Sequence, residues 1–279
     1  MGGKLAERLT EIIGGPEREI PLLEAALLVA THRYPDLDVG YYLDTLDNFG
    51  AHVAGQIEND SAPAEKVVAI NHYLFDELGF APNAQDYFDP RNSFLNEVLE
   101  RRTGIPITLS LVYMAVGRAL GLAMNGVCYP GHFLVKCELP DGIIVLDPFS
   151  RGQSLDLGDL QRLLRETQGG EVSRAIVAGC LVAASKREIL LRMLRNLKLI
   201  YLRTRELDSA LMIMNWIVAA NPRQAGEIRD RAMLYQELEC FRAAAADFER
   251  YLELAPGCND GDQIRDRLVS LQRSVSLLN

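Results

Sequence analysis

The sequence has 279 residues, of which 48% are hydrophobic and 24% are charged, the balance of a folded protein rather than a disordered one. This length accommodates one large domain or two ordinary ones, and we expect two. The formal net charge is −9 and unevenly spread: residues 1–184 contain 14 Lys and Arg against 25 Asp and Glu, and residues 185–279 contain 15 against 13. This acidic balance argues against nucleic-acid binding, which depends on neutralising phosphates.

Several features of the sequence favour a cytoplasmic protein. The longest apolar stretch, residues 175–185, is shorter than the roughly 18 residues of a membrane-spanning helix, so we expect no membrane association. The first residues lack the apolar core of a signal peptide. Five cysteines without C-x-x-C spacing indicate neither a disulfide framework nor a zinc site. We therefore predict no metal and no cofactor.

Helical patterning dominates the first 120 residues. The predicted helices cover residues 21–28, 39–57, 64–78, 93–102 and 107–120. Pro21 suits a helix start, and Gly79 and Gly121 suit positions just beyond helix ends. The many turn residues of segment 81–91 predict a loop between the third and fourth helices.

After Gly121 the pattern changes to short strands. The predicted strands cover residues 125–129, 132–139 and 143–146. Turn residues at 130–131 and 140–142 separate them, and a further helix is predicted over residues 159–166. Helices followed by a short antiparallel meander indicate the α+β class, with a mainly helical N-terminal region and a helix-plus-antiparallel-sheet core.

The last hundred residues contain an internal repeat. Three residues recur 34 positions later with their type unchanged: Tyr201, Ala210 and Pro222 as Tyr235, Ala244 and Pro256. This is the period of tetratricopeptide repeats, in which each unit is a helical hairpin. We predict two domains, 1–184 and an all-α array over 185–279, with about two repeats and a C-terminal capping helix over residues 262–278.

Several motifs along the chain resemble those of one bacterial family. They are LFDELGF at residues 74–80, YFDPRNS at 87–93, ERRTGIP at 100–106, PGHFLV at 130–135 and DPF at 147–149. Together they resemble the SirB-type family, which couples a transglutaminase-like domain to tetratricopeptide repeats. The resemblance implies a papain-type core in residues 1–184. It also implies a regulatory role, which no other feature of the sequence indicates.

The transglutaminase-like resemblance implies a Cys-His-Asp triad, with the Cys at a helix N-terminus and the His and Asp on adjacent strands. His132 matches the His, and Asp147 matches the Asp within its Asp-Pro pair. The segment from Arg118 to Gly121 resembles the end of the triad helix, and counting back about four turns puts the nucleophile at residues 106–108. No cysteine stands there.

Other side chains are alternatives to the missing nucleophile. Cys128 lies on the strand after the helix, where packing is its expected role. Thr108 or Ser110 could act as a hydroxyl nucleophile if His132 reaches its oxygen. In the structural alternative, Thr108 caps the helix, and His132 and Asp147 share an inherited hydrogen bond.

A dense polar cluster precedes this helix. Its members are Arg91, Asn92, Asn96, Glu97, Arg101 and Arg102. Such a cluster could bind a polar group of a substrate, or it could form ion pairs that hold the irregular loop. We favour the second interpretation.

Two functions follow from these patterns. The first is a non-catalytic interaction or regulatory scaffold, a pseudoenzyme whose repeat array binds a protein or peptide. Basic residues of the first repeat, Arg192, Arg195 and Lys198, would contact an acidic partner, although charged residues on a helix more often form a solvated face. The alternative is a hydrolase or acyl-transfer enzyme that uses a Thr or Ser nucleophile with His132 and Asp147.

Overall fold

The computed structural model describes residues 2–58, 60–139 and 142–277, with side chains throughout except at residues 2, 3 and 272–277. The chain divides into two compact units. One comprises Pro16–Met193 and the first six residues, and the other comprises Leu194–Asn279 and Glu7–Gly15. The boundary predicted after residue 184 stays a prediction. Pro140 and Asp141 of the predicted turn, and Leu278 at the predicted helix end, lie outside the described residues.

Helices make up most of the described chain. The α-helices are α1 Gly2–Gly14, α2 Leu22–Leu28, α3 Val39–Gln56, α4 Pro63–Asn71, α5 Leu95–Arg101, α6 Pro106–Ala119, α7 Leu157–Gln168, α8 Arg174–Cys180, α9 Lys186–Thr204, α10 Leu207–Ala220, α11 Ala225–Glu237, α12 Phe241–Leu254 and α13 Gly261–Leu277. Among the described residues, no helix is both long enough and apolar enough to cross a bilayer.

Helix α6 is the central helix of the first unit. All but three of its fourteen residues are buried, which is the pattern of a helix surrounded by other elements. Pro106 occupies the first turn, where its missing N–H costs no hydrogen bond. The chain leaves the helix through Gly121 at a φ of 74°, a left-handed conformation that glycine adopts without strain.

A four-stranded antiparallel sheet packs against α6. Its strands, in spatial as well as chain order, are β3 Met124–Val127, β4 Leu134–Leu139, β5 Gly142–Asp147 and β6 Gln153–Leu155. A separate parallel pair joins β1 Ala81–Pro82 to β2 Thr103–Gly104. Helices and an antiparallel sheet in one unit confirm the predicted α+β class.

Several details differ from the sequence predictions, and strand β1 lies within the predicted loop 81–91. His132 precedes β4 in a turn instead of lying on the strand, because Gly131 turns the chain at a φ of 73°. The third predicted helix is divided into α4 and a π-helix, His72–Glu77. Strand β6 and helix α8 were not predicted, since three residues and seven residues are too short for a clear hydrophobic period.

The second unit consists of helical hairpins with the predicted 34-residue spacing. Ala210 and Ala244 are fully buried at equivalent positions of α10 and α12, where a small side chain allows close helix packing. Pro222 and Pro256 follow the ends of the same two helices. The predicted hairpin array is confirmed.

Candidate functional site

His132 and Asp147 lie side by side in the first unit. Nε2 of His132 is 3.0 Å from Oδ2 of Asp147, and the two side chains are 15% and 6% exposed. Nε2 has no hydrogen bond of standard geometry among the described residues, so we describe this as a close polar contact between the ring and the carboxylate. The edge of the His132 ring also contacts Phe149, with ring centroids 6.0 Å apart.

Local backbone geometry places both members of the pair. The backbone N–H of His132 donates to the carbonyl of Tyr129, which closes the turn through Gly131. A Cβ at Gly131 would lie 2.5 Å from Oγ1 of Thr167 on α7, so this turn also needs glycine for space. Asp147 is the last residue of β5, and its Oδ1 accepts the Phe149 N–H at 3.0 Å.

The environment of Asp147 favours the ionised carboxylate. Burial raises its pKa, but His132 and hydrogen bonds from Ser150 and the Phe149 backbone outweigh burial and lower the pKa below its ordinary value. Ser150 Oγ donates to Oδ2 at 2.7 Å. Ser150 is thus a hydroxyl close to the pair that the sequence interpretation missed, although an Asp followed three residues later by Ser is a typical local capping pattern.

The two ring nitrogens of His132 have different surroundings. Nε2 is buried toward the carboxylate, whereas Nδ1 makes no hydrogen bond to any residue that the structure describes. A His held in this way by a carboxylate can accept and return a proton at its other nitrogen. Covalent catalysis additionally requires a hydroxyl or thiol within hydrogen-bond reach of that nitrogen.

Thr108 occupies the predicted nucleophile position but is committed to structure. It is fully buried, and its Oγ1 donates to the carbonyl of Asn92 at 2.8 Å and accepts the Ile105 N–H at 3.1 Å. Ser110 is also fully buried, and its Oγ has no hydrogen-bond partner among the described residues. Neither hydroxyl hydrogen-bonds to His132, so these contacts agree with the capping alternative.

Cys128 lies directly after β3 and is half-buried. It therefore follows a strand in the chain and does not stand at the start of a helix, as the superfamily's cysteine does. The described residues contain no group of three or more His, Cys, Asp and Glu side chains able to hold a metal ion.

A hydrogen-bond network fixes the loop that follows Asp147. Asn71, at the end of α4, donates to the carbonyl of Gly152 at 3.2 Å and accepts the Tyr113 hydroxyl at 2.7 Å. Arg151 pairs with Asp76 in the π-helix. These contacts join residues far apart in sequence, so periodicity carries no signal for them.

The polar cluster before α6 is satisfied largely within the protein. Asp89 is 7% exposed and receives ion pairs from Arg91 and Arg101. Burial raises the Asp89 pKa, but the two arginines and the backbone N–H of Arg91 lower it overall. Asn92 is fully buried and hydrogen-bonds to Asn83. These contacts agree with the interpretation that the cluster holds the irregular segment in place.

The remaining three cluster residues have different environments. Glu97 accepts the Tyr34 hydroxyl at 2.8 Å. The Arg102 guanidinium lies 5.0 Å from the ring centroids of both Phe49 and Phe80, and burial lowers its pKa. Asn96 is buried, and its Oδ1 has no partner among the described residues.

The basic residues predicted to contact a partner have different environments. Lys198 lies 2.7 Å from Glu227 and 2.6 Å from Asp230, and Arg195 lies 2.8 Å from Glu227. Both cations therefore neutralise acidic residues of α11 within the second unit. Arg192 belongs to the first unit, is half-buried and acts electrostatically on Tyr87.

Comparison with known proteins matches both parts of this description. Residues 41–195 match the transglutaminase-like superfamily, and residues 197–269 match the tetratricopeptide repeat. A UPF0162 protein of Xylella fastidiosa strain 9a5c is 40% identical over 257 residues, which are 91% of this chain and 91% of that protein. The chain belongs to the UPF0162 family.

The family assignment confirms the SirB-type resemblance. Another UPF0162 protein, from Pseudomonas aeruginosa, is 31% identical over 255 residues, which are 91% of this chain and 92% of the relative. F-box only protein 21 of Mus musculus is 32% identical over 157 residues, which are 53% of this chain but 24% of that protein. No solved structure matches the chain.

Proposed function

We propose that this member of the UPF0162 family is a non-catalytic interaction protein. The observation that carries the proposal is the environment of Thr108, whose buried hydroxyl is bonded to backbone groups at the place where the superfamily's nucleophile would stand. In this role the His132–Asp147 pair stabilises its loop instead of activating a nucleophile.

The repeat array supplies the proposed binding surface. Leu199 on α9 and Met233 on α11 are 34 residues apart and are 58% and 39% exposed, so successive hairpins present an apolar side chain at equivalent positions. We call Leu199 and Met233 the apolar stripe. An ion pair between Lys198 and Glu227 joins the same two helices. Apolar side chains repeated along an array suit a helical or extended peptide partner.

Basic residues beside the stripe support the expected preference for an acidic partner. The Arg195 side chain is 43% exposed despite its pairing with Glu227, so part of it remains accessible to a ligand. Arg192 and Lys198 stay candidate contacts. We also keep the cytoplasmic location as part of the proposal, supported by five cysteines that are all unbridged.

The binding surface can be tested with matched variants. We expect affinity capture with the Leu199→Glu, Met233→Glu double variant to lose the partners that the unmodified protein retains. Met212→Glu is the control, because Met212 is 40% exposed on α10, the second helix of its hairpin. Equal partner sets for the unmodified protein and the double variant would show that this face is not the binding surface.

The enzymatic alternative rests on the preserved pair of His132 and ionised Asp147. Incubation with ester and amide probes tests it, and our proposal expects the same background rate for the unmodified protein and for His132→Ala. Hydrolysis or acyl transfer that is present in the unmodified protein and lost in His132→Ala would overturn the non-catalytic assignment. Replacement of Ser110 and Ser150 by Ala would then identify the nucleophile.

A further inference from the structure

A groove in the first unit lies apart from the His132–Asp147 pair. It has a volume of about 850 Å³ and lies between the first residues of β5, the start of α7 and helix α8. Its floor is formed by apolar side chains from all three elements, including Val145, Leu160 and Val177. The same three residues belong to one buried cluster, so the groove is the open edge of a hydrophobic core.

Strand β5 extends past the end of its neighbour at this groove. It pairs with β4 along its length, from Gly142 to Leu146, but pairs with β6 only from Val145 to Asp147. Residues 142–144 therefore have a strand on one side only among the described residues. Backbone groups at such an edge are available to a further strand.

The side chains at this edge favour pairing rather than prevent it. Ile143 lies two residues before Val145 and so points to the same face of the sheet, yet it is 53% exposed. Protein edges that must stay unpaired usually carry Lys, Pro or a bulge. Here the described edge residues are Gly142, Ile143 and Ile144, whose backbone and side chains suit an added strand.

Charges at the rim indicate the chemistry of the occupant. Asp156 and Asp159 cap the start of α7 through reciprocal hydrogen bonds, and Asp159 also pairs with Arg162. Arg174 is exposed and makes no hydrogen bond or ion pair with a residue that the structure describes. Arg174 is therefore available to pair with a carboxylate of the occupant.

We propose that this groove binds an extended peptide segment of another protein, which adds a strand to the edge of β5. Alternate apolar side chains of the segment would fill the groove beside Ile143, and an acidic side chain or a terminal carboxylate would pair with Arg174. This strand-addition mode uses main-chain hydrogen bonds for affinity and side-chain pockets for specificity. It is independent of the surface proposed for the repeat array.

A displayed heptapeptide library sorted on the full chain, with counter-selection on Ile143→Lys, provides the probe. We expect enriched peptides to alternate apolar and polar residues and to contain an acidic group. Fluorescence polarisation of an enriched peptide should show binding weakened by about tenfold or more in Ile143→Lys and several-fold in Arg174→Glu. Val182→Lys and Arg165→Glu, exposed changes outside the groove lining, should leave it unchanged.

Backbone methylation distinguishes strand addition from general hydrophobic binding. N-methyl groups on one alternate set of peptide residues should abolish binding, whereas methyl groups on the other set should not, because only one edge of the peptide faces β5. Equal binding of both methylated peptides would overturn the proposal. The proposal would also be overturned if no library peptide bound the unmodified protein more tightly than the Ile143→Lys variant. This outcome requires that the variant retain the circular dichroism and melting temperature of the unmodified protein.

Two further experiments distinguish this proposal from binding of a second copy of the chain and from binding to the repeat array. A dimer in sedimentation equilibrium that Ile143→Lys dissociates would make a second copy of the chain the occupant, and would overturn the assignment to another protein. The Leu199→Glu, Met233→Glu variant should bind the enriched peptide normally. Loss of binding there would assign the peptide to the repeat array and leave the groove without its proposed ligand.

Discussion

The hydroxyl of Thr108 bridges two backbone segments at the start of α6. It accepts the N–H of Ile105 and donates to the carbonyl of Asn92, which belongs to the irregular segment before α5. Gly104 packs closely against this hydroxyl, and a Cβ at Gly104 would lie 2.8 Å from Oγ1 of Thr108. A side chain at a nucleophile's sequence position can therefore have a purely architectural role.

Replacement of Thr108 tests this role. Thr108→Val keeps the volume but removes both hydrogen bonds, so we expect the free energy of unfolding to fall by about 2 kcal/mol. Thr108→Ser keeps the hydroxyl and loses one methyl group, for about 1 kcal/mol. Urea unfolding measures the loss of unfolding free energy in each variant. A smaller loss in Thr108→Val than in Thr108→Ser would contradict the bridging role.

The lowered pKa of Asp147 predicts a pH dependence of stability. Because the folded pKa lies below the ordinary value of 3.8, the stabilisation is fully present above pH 3.8 and is lost as the pH falls through the folded pKa. Asp147→Asn should cost about 1–3 kcal/mol near neutral pH, and this difference should shrink below pH 3.8.

Urea titrations at several pH values measure that difference. Asp208→Asn is the control, because Asp208 is an exposed aspartate on α10 and its replacement should change stability little at any pH. A difference between the unmodified protein and Asp147→Asn that stays constant through acid pH would argue that the carboxylate charge does not stabilise the fold.

At the scale of elements, the loop after β5 is fixed from outside the sheet. The end of α4 supplies Asn71, whose amide nitrogen binds the carbonyl of Gly152, while Asp76 of the π-helix holds Arg151. Distortions of this kind within helices are often found at functional sites. Here the π-helix contacts the loop whose Phe149 N–H and Ser150 hydroxyl donate hydrogen bonds to Asp147.

Gly152 is the most constrained position in this contact. Its φ is 72°, and a Cβ would lie 2.0 Å from Oδ1 of Asn71, so Gly152→Ala should destabilise the protein by more than about 2 kcal/mol. In an Asn71→Ala background the added cost should fall to about 1 kcal/mol, that of the left-handed backbone alone.

Gly79 provides the matched control for the backbone contribution. Its φ is also 72°, but nothing lies within 4 Å of an added Cβ, so Gly79→Ala should cost about 1 kcal/mol in either background. Urea unfolding of the single and double variants measures the coupling. Equal costs of Gly152→Ala with and without Asn71 would show that the contact is not the constraint.

The hairpins of the second unit are joined by a partly buried ion-pair group. Lys198 is 12% exposed and lies between Glu227 and Asp230, and Glu227 is 11% exposed. Burial raises the Glu227 pKa, but Lys198 and Arg195 lower it overall. We expect Lys198→Met to cost about 2–3 kcal/mol, because it leaves Glu227 buried with one cation fewer.

Arg205→Met is the control for this prediction. Arg205 pairs with Glu237, but the two side chains are 68% and 41% exposed, so its loss should cost less than about 1 kcal/mol. Both variants are compared by urea unfolding. Equal losses would indicate that burial of the Lys198 group contributes nothing.

At the scale of the whole molecule, charge restricts the class of partner. The net charge is −9 and the isoelectric point is about 5.1. We expect micromolar protein to leave the fluorescence anisotropy of a labelled DNA duplex unchanged at low salt, because few phosphates can be neutralised. A saturable rise in anisotropy that added salt removes would contradict this expectation.

The sequence by itself determined what depends on local pattern. The 34-residue spacing of Tyr201 and Tyr235 predicted the hairpins, and glycine and proline predicted most helix ends. The matches of His132 and Asp147 to the superfamily predicted two side chains that the fold brings within 3.0 Å. These signals are readable because period, turn residues and motif order are properties of neighbouring residues.

Only the tertiary structure decided how the remaining polar groups are used. The burial of Thr108 and the pairing of Lys198 with Glu227 depend on residues brought together from distant parts of the sequence. The open edge at Ile143 depends on where β6 ends, and a strand of three residues is too short to be predicted from the sequence. Hydrogen bonding, burial and strand pairing depend on which residues are close in space, and these contacts cannot be derived from a single sequence.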